Sequence, residues 1–210
     1  AVMLVAVLVV GGTLAYFTDT KSATNTFTVG DVKIKLDESN VNDPDGDRVT
    51  SNEYTGVFPG IQYKKDPVVT NTGKNGAYVR AVVTIENGMN WMGLYNENVW
   101  TAPQAEAFMK LICNKMGDGW SLEDYDYVTN AERGSTDFVA VLKYDGVLAT
   151  GKATTAMFEN IMLPADATTN DITTRVAQNG VFHIDVVAQA IQADGFTSWN
   201  DAFKAFDAQK

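Results

Sequence analysis

The sequence is poor in the two residues that most often carry metal or nucleophilic chemistry. It contains one cysteine, Cys113, and one histidine, His183. A disulfide within one chain is therefore excluded, and so is the commonest zinc-protease motif, in which two histidines one helical turn apart bind the metal. Cys113 follows apolar Ile112 in a predicted helix, which favours a packed, inert thiol over a nucleophile. His183 lies near Asp185 on the polar face of a predicted strand, which favours an exposed side chain over a metal ligand.

Enzyme motifs and basic charge are also scarce. The sequence has no Gly-x-Ser-x-Gly elbow and no glycine-rich phosphate loop. Its 16 Lys and Arg against 26 Asp and Glu give a net charge of −10. This balance argues against nucleic acid as a partner, because phosphate binding needs a basic face. The 210 residues, 45% of them hydrophobic, are enough for one globular domain with a sizeable core.

The first feature that is present is an apolar run at the start. Residues 1–10 are all apolar, and no charge occurs before Asp19. Ten such residues are too few to span a bilayer of about 30 Å as a helix. Together with the small-x-small pattern Thr13-Leu14-Ala15, they predict that residues 1–15 are the remnant of a secretory signal peptide, with only transient membrane contact. A buried strand of a cytosolic protein and an apolar strand retained after secretion are the alternatives.

Strand patterns dominate the rest of the chain. Apolar residues recur with a period of two, which is typical of half-buried strands. The Asn- and Gly-rich residues 71–76 are predicted to form a tight reversal between two such strands. The predicted strands are 27–36, 66–70, 78–85, 157–163 and 181–191, together with a hairpin of 138–144 and 147–149.

Two helices are expected among these strands. One begins at Thr101, with Pro103 in its first turn and Gln104 in a capping-box position, and ends at Gly117. A short terminal helix begins at Ser198. Many short strands without β–α alternation predict an all-β fold with minor helices, a jelly-roll-like antiparallel β-sandwich in a single domain.

Residues 37–53 are strongly acidic and predict a loop. They hold six acidic side chains against Arg48 alone. Within them, Asp43, Asp45 and Asp47 alternate in the way that the first ligands of a calcium loop do. The glycine expected after the third ligand is replaced by Arg48, and the twelfth position is Tyr54 instead of a bidentate glutamate. A solvated acidic loop is therefore favoured, and weakly bound calcium is the one cofactor that the sequence suggests.

An aromatic cluster between residues 91 and 127 allows two interpretations. Aromatic rings interleaved with Asn and Asp are suited to stacking on sugars or to forming a partner surface. The rim of a sandwich core has the same composition. The candidate surface residues are Trp91, Tyr95, Trp100 and Trp120.

Several stretches together resemble the secreted TasA/camelysin proteins, a family that builds extracellular biofilm-matrix fibres and is related to archaeal bundling pilins. The resemblance covers both ends of the chain and residues 57–85. The matching residues are Gly11-Gly12-Thr13-Leu14-Ala15-Tyr16-Phe17-Thr18-Asp19, Asn25-Thr26-Phe27-Thr28-Val29-Gly30-Asp31-Val32, Phe58-Pro59-Gly60, Asn71-Thr72-Gly73, Tyr78-Val79-Arg80 and Ala190-Ile191-Gln192-Ala193.

The resemblance implies a secreted protein that polymerises. It implies that residues 16–28 leave their own subunit and add as a donor strand to the next one, with residues 29–210 as the jelly-roll domain. The side chains expected to anchor the donor strand are Tyr16, Phe17, Phe27 and Val29. The expected partners are other copies of the chain and matrix accessory proteins, at the cell surface or in the extracellular matrix.

Three functions follow as hypotheses. The first is a non-enzymatic fibre subunit. The second is a metallopeptidase, which the name camelysin implies and for which the sequence offers no metal-binding motif. The third is a monomeric surface module that binds glycans through the aromatic cluster.

Overall fold

The computed structural model describes residues 31–132, 134–176 and 182–208. The strands are β1 (Ile34–Asp37), β2 (Gln62–Lys64), β3 (Val68–Asn71), β4 (Ala77–Ile85), β5 (Trp120–Asn130), β6 (Ser135–Tyr144), β7 (Asn160–Met162) and β8 (Ile184–Gln192). The longer helices of the described residues are α1 (Gly88–Leu94), α2 (Ala102–Cys113) and α3 (Trp199–Asp207). A single helical turn, Thr169–Asp171, continues as a short π-helix, Ile172–Val176.

The strands form one large sheet and two small ones. The large sheet has the order β5-β6-β4-β8, and the two-stranded sheets are β1-β3 and β2-β7. Every pairing is antiparallel. The prediction of an all-β fold with minor helices is confirmed, whereas the jelly-roll order of strands stays a prediction.

Strand β4 is one of the two inner strands of the large sheet, and one of its faces is wholly apolar. Its alternate residues from Ala77 to Ile85 have no exposed surface, as the period of two predicts. They pack with the large side chains of the core, which include Trp91, Phe108, Phe138 and Phe158. Strand β8 turns Ile184, Val186, Ala188 and Ala190 toward the same core.

The predicted hairpin of 138–144 with 147–149 is wrong. Strand β6 pairs instead with β5 on one side and with β4 on the other. Leu148 forms an isolated bridge with Ala77. Strand β5 was not predicted, because polar residues such as Asp124 and Asp126 lie on its exposed face and a register shift between Leu122 and Asp124 interrupts its alternation.

The predicted turn at 71–76 joins strands of two different sheets, β3 and β4. The start of α2 after Thr101 is confirmed, but the helix ends at Cys113, before Gly117, because Asn114 leaves the helical conformation with a φ of 63°. Helix α1 was not predicted. The terminal helix is confirmed, and the Ser198 side chain caps it by accepting from the Asp201 N–H.

Candidate functional site

A groove of about 1010 Å³ lies between the start of β8 and the end of β1. Residues 36–38 form one wall and residues 182–187 the other. Its polar rim comes from the loop at residues 50–54. Its apolar lining is provided by Leu36, Val57, Ile161, Ile172, Phe182, Ile184 and Val186.

The hydrogen-bonding direction of β8 follows from its two ends. Glu86 N–H donates to the His183 carbonyl at 3.1 Å, and Ala193 N–H donates to the Gly76 carbonyl at 2.9 Å. Successive residues of a strand direct their N–H and C=O groups to opposite sides. The odd-numbered residues of β8 therefore bond to β4, whereas Ile184 and Val186 direct theirs to the other edge. No strand within the described residues pairs with that edge.

An ionic network fixes the β1 wall of this groove. The Arg48 guanidinium donates to the carbonyls of Asp37 and Asp66, at 3.1 and 2.7 Å, and also to the Asp37 carboxylate. Burial by itself raises the pKa of Asp37, but hydrogen bonds from Lys35 and Arg48 outweigh it and lower the pKa of that carboxyl. The network joins the acidic loop to β1, so the loop becomes a fixed rim.

The second half of the network is the buried pair of Lys65 and Glu38. The Lys65 Nζ lies 3.1 Å from Oε2 of Glu38, and both residues are buried. Burial raises the pKa of Asp66 by itself, but hydrogen bonds from the Ser39 backbone and side chain, with Arg48 nearby, lower it overall. The Asp37 and Asp66 carboxyls are therefore ionised at neutral pH, and each is paired with a cation.

A third fixed point lies where β8 begins. His183 Nδ1 lies 2.6 Å from Oε2 of Glu86, which also accepts from the His183 backbone N–H at 3.0 Å. The His183 side chain is 55% exposed and the Glu86 side chain 4%. The sequence indicated the exposure of His183, but not its buried partner 97 residues away. The sequence likewise did not indicate that Asp37 and Asp66 are buried. It placed Asp37 in a solvated loop and Asp66 at the start of a strand.

The four predicted aromatic surface residues do not share a surface. Trp91 and Trp120 are buried, and Tyr95 is half-buried with its hydroxyl bonded to the Met162 carbonyl. Trp100 alone is exposed, at 76%. The interpretation as a sugar-stacking surface is therefore corrected, because the core of the sheet takes up the other rings.

The predicted calcium ligands lie on an exposed turn. Asp43, Asp45 and Asp47 are exposed, and the Gly46 N–H closes the turn onto the Asp43 carbonyl at 3.0 Å. In the described part of the chain, no three His, Cys, Asp or Glu residues are grouped as metal ligands. Calcium at this loop therefore stays a prediction, without a preformed site.

Cys113 lies inside the core, as predicted. Its side chain is buried, and burial raises the pKa of its thiol to about 12. At neutral pH it is therefore almost entirely protonated and a poor nucleophile.

The anchor residues predicted for the donor strand, Tyr16, Phe17, Phe27 and Val29, lie outside the described residues. The same is true of the predicted boundaries at residues 15 and 28.

The start of the chain matches the family model described as camelysin metallo-endopeptidase, over residues 1–52. The resemblance to the TasA/camelysin family is confirmed. The matched part includes β1 and Arg48, which form one wall of the groove. No curated protein matches the chain. Among the described helices, none combines the length and apolar character needed to cross a membrane.

The camelysin name implies a catalytic metal, and the described residues do not fit one. His183 is the only histidine, and its Nδ1 is bonded to Glu86. The part of the chain that the structure describes places no third ligand beside these two. The groove instead offers an apolar lining and an open strand edge, which suit an extended peptide.

Proposed function

We propose that this protein is a secreted structural subunit of extracellular filaments, which polymerises when residues 16–28 of one copy insert into the groove of the next. The observation that carries the proposal is the groove along the open edge of β8. Exposed strand edges recruit extended peptides through main-chain hydrogen bonds, and adjoining pockets take alternate side chains. Other copies, with matrix accessory proteins, are the proposed partners.

The groove offers both hydrogen bonds and apolar burial to such a contact. Ile184 and Val186 direct two N–H and two C=O groups to the open edge, and each hydrogen bond contributes about 1 kcal/mol. Burial of an apolar donor side chain contributes about 1.5–3 kcal/mol, and Phe27 is the predicted anchor that the groove at residues 182–187 can take. The cost of association is about 4–15 kcal/mol, so these contributions are of the same order as the cost that they must offset.

A donor segment and a groove are different surfaces, so their contact is heterologous. Heterologous contacts produce rings when the rotation closes and open filaments when it does not. The matrix or pilus-like location of the filament follows from the family resemblance and the apolar start of the chain.

The proposal is tested with Val186→Pro. Val186 directs its N–H away from β4, so proline removes a donor from the open edge and leaves the β4 pairing intact. We expect Val186→Pro to abolish filaments in negative-stain electron micrographs of the purified protein. The matched control, Val186→Ala, shortens the same side chain but keeps the N–H, and we expect it to raise the critical concentration only a few-fold.

Circular dichroism and thermal melting establish that both variants are folded. Deletion of residues 16–26 tests the donor, and we expect a folded monomer that still accepts a peptide of those residues. Wild-type protein that stays monomeric at high concentration would contradict the proposal, as would filaments formed by the deletion variant.

The peptidase function is the second candidate, because the matching family model carries that description. It predicts cleavage of unfolded casein that persists through purification and is abolished by a chelator. Replacement of His183 by Ala is also expected to abolish such cleavage. The filament proposal expects no cleavage by either protein.

A further inference from the structure

The described chain begins at one particular end of β8. Asp31 N–H donates to Oδ1 of Asn75 at 3.1 Å, and the Lys74 N–H donates to the Asp31 carbonyl at 2.8 Å. Asn75 in turn donates to Asp194, two residues beyond the end of β8, at 3.2 Å. Asp31 therefore lies at the Gln192 end of the strand.

The groove lies at the opposite end. Residues 182–187 line it, and residues 188–192 do not. Nine residues of strand extend over about 30 Å. Two residues, 29 and 30, separate a segment 16–28 from Asp31, and they reach about 11 Å when fully extended. Residue 28 is therefore never more than about 11 Å from Asp31. Whichever groove the segment occupies, residue 28 stays near the Gln192 end of its own domain.

This constraint links the direction of the inserted strand to the assembly. If residues 16–28 fold back into their own groove, residue 28 lies toward the Gln192 end and the segment runs parallel to β8. If they enter a neighbour from its Gln192 end, they also run parallel to β8. The two Gln192 ends then meet, and reciprocal exchange of the two segments closes this contact as a two-fold dimer.

A third arrangement is the only one of the three that brings the Gln192 end of one copy to the Ile184 end of another. If the segment enters the neighbour from the Ile184 end, residue 28 lies there, and the segment runs antiparallel to β8. The Gln192 end of one copy then lies on the Ile184 end of the next. This contact is heterologous and can continue without limit. Antiparallel pairing is also slightly more stable per residue, and every described strand pair of the domain is antiparallel.

We propose that residues 16–28 of a second copy enter the groove at the Ile184 end and pair antiparallel with β8. This inference rests on the proposed function and adds the direction of the strand and the polarity of the filament. Phe27 then lies beside Phe182 and Ile184, near the mouth of the groove. Tyr16 and Phe17, eleven and ten residues before Phe27, then lie beyond the Gln192 end of β8, since that many residues of strand extend over more than about 30 Å.

The direction is tested by cross-linking pairs of introduced cysteines with a short bismaleimide. Thr28→Cys is combined with Asp185→Cys at one end of β8, or with Ile191→Cys at the other. Both β8 positions belong to the sheet face that is turned away from the core, about 20 Å apart. The native Cys113 is buried, and cross-linking of the wild-type protein measures the background that this thiol contributes. Thr28→Cys with Asp145→Cys, in a turn outside the groove lining, measures random collision.

We expect a ladder of covalent oligomers with Asp185→Cys, at least tenfold above the Ile191→Cys and Asp145→Cys pairs. A ladder with Ile191→Cys instead would overturn the strand direction and leave the filament proposal standing. A covalent dimer without a ladder would overturn both. A cross-linked monomer with Ile191→Cys carries no weight, because residue 28 lies near its own Gln192 end in every arrangement. Self-insertion is tested with Thr20→Cys and Asp185→Cys, which only a segment in its own groove brings together within one chain, and a cross-linked monomer with this pair would contradict the proposed function.

Discussion

Glu86 and His183 are linked twice at the beginning of β8. One carboxylate oxygen of Glu86 accepts from the His183 backbone N–H at 3.0 Å and lies 2.6 Å from Nδ1 of its ring. The carboxylate therefore takes the place of a main-chain acceptor where the pairing of β4 with β8 ends. This relationship holds the mouth of the groove in position.

Glu86→Ala is expected to destabilise the fold by about 1–3 kcal/mol, because it leaves the partly buried N–H of His183 without its acceptor. His183→Ala is the matched control. It removes a half-exposed ring and keeps the backbone hydrogen bond, so we expect a loss of less than about 1 kcal/mol. Urea denaturation measures both. Equal losses for the two variants would show that the backbone hydrogen bond is not the important contact.

The network around Arg48 predicts a loss of stability in acid. The pKa values of Asp37 and Asp66 are lowered in the folded protein, below an unfolded value of about 4. Each carboxylate therefore stabilises the fold above pH of about 4, and this contribution is lost as the pH falls through the folded pKa. Urea denaturation between pH 7 and pH 2.5 measures the loss. We expect Asp37→Asn to flatten this dependence, and an unchanged slope would contradict the assignment.

Two glycines of α1 are expected to respond oppositely to alanine. A Cβ at Gly88 would lie 2.6 Å from the Phe138 backbone nitrogen, whereas a Cβ at Gly93 meets nothing within 4 Å. Gly88→Ala must therefore push α1 away from β6, and we expect a loss of about 2–4 kcal/mol. Gly93→Ala is expected to stabilise by about 0.5–1 kcal/mol, because alanine favours the helix. Thermal and urea unfolding measure both, and a stable Gly88→Ala variant would contradict the tight packing of α1 on β6.

Calcium is expected to promote bundling of filaments. The net charge of −10 makes neighbouring filaments repel, and divalent cations reduce that repulsion. Turbidity is measured with calcium and with chelator. Replacement of Asp43, Asp45 and Asp47 by Asn tests the loop, and we expect bundling at lower calcium because the repulsion is smaller. Turbidity that responds to neither calcium nor chelator would refute this expectation.

The local pattern of the sequence predicted those elements whose cause is local. The alternation in β4 and β8 produces one apolar face on each strand, and the signals at Thr101 and Ser198 begin two helices. The same reasoning failed for β5, whose exposed face is polar and whose register shifts between Leu122 and Asp124.

The sequence by itself determined the all-β character of the protein, its acidic charge and the lack of a disulfide between two cysteines of this chain, because these depend on composition and on neighbouring residues. Only the tertiary structure decided that β6 pairs with β5, that Trp91 and Trp120 are buried, and that Arg48 and Glu86 fix opposite walls of the groove. These contacts join residues that are far apart in the chain. Such contacts depend on which surfaces the whole fold brings together, and short-range periodicity contains no record of them.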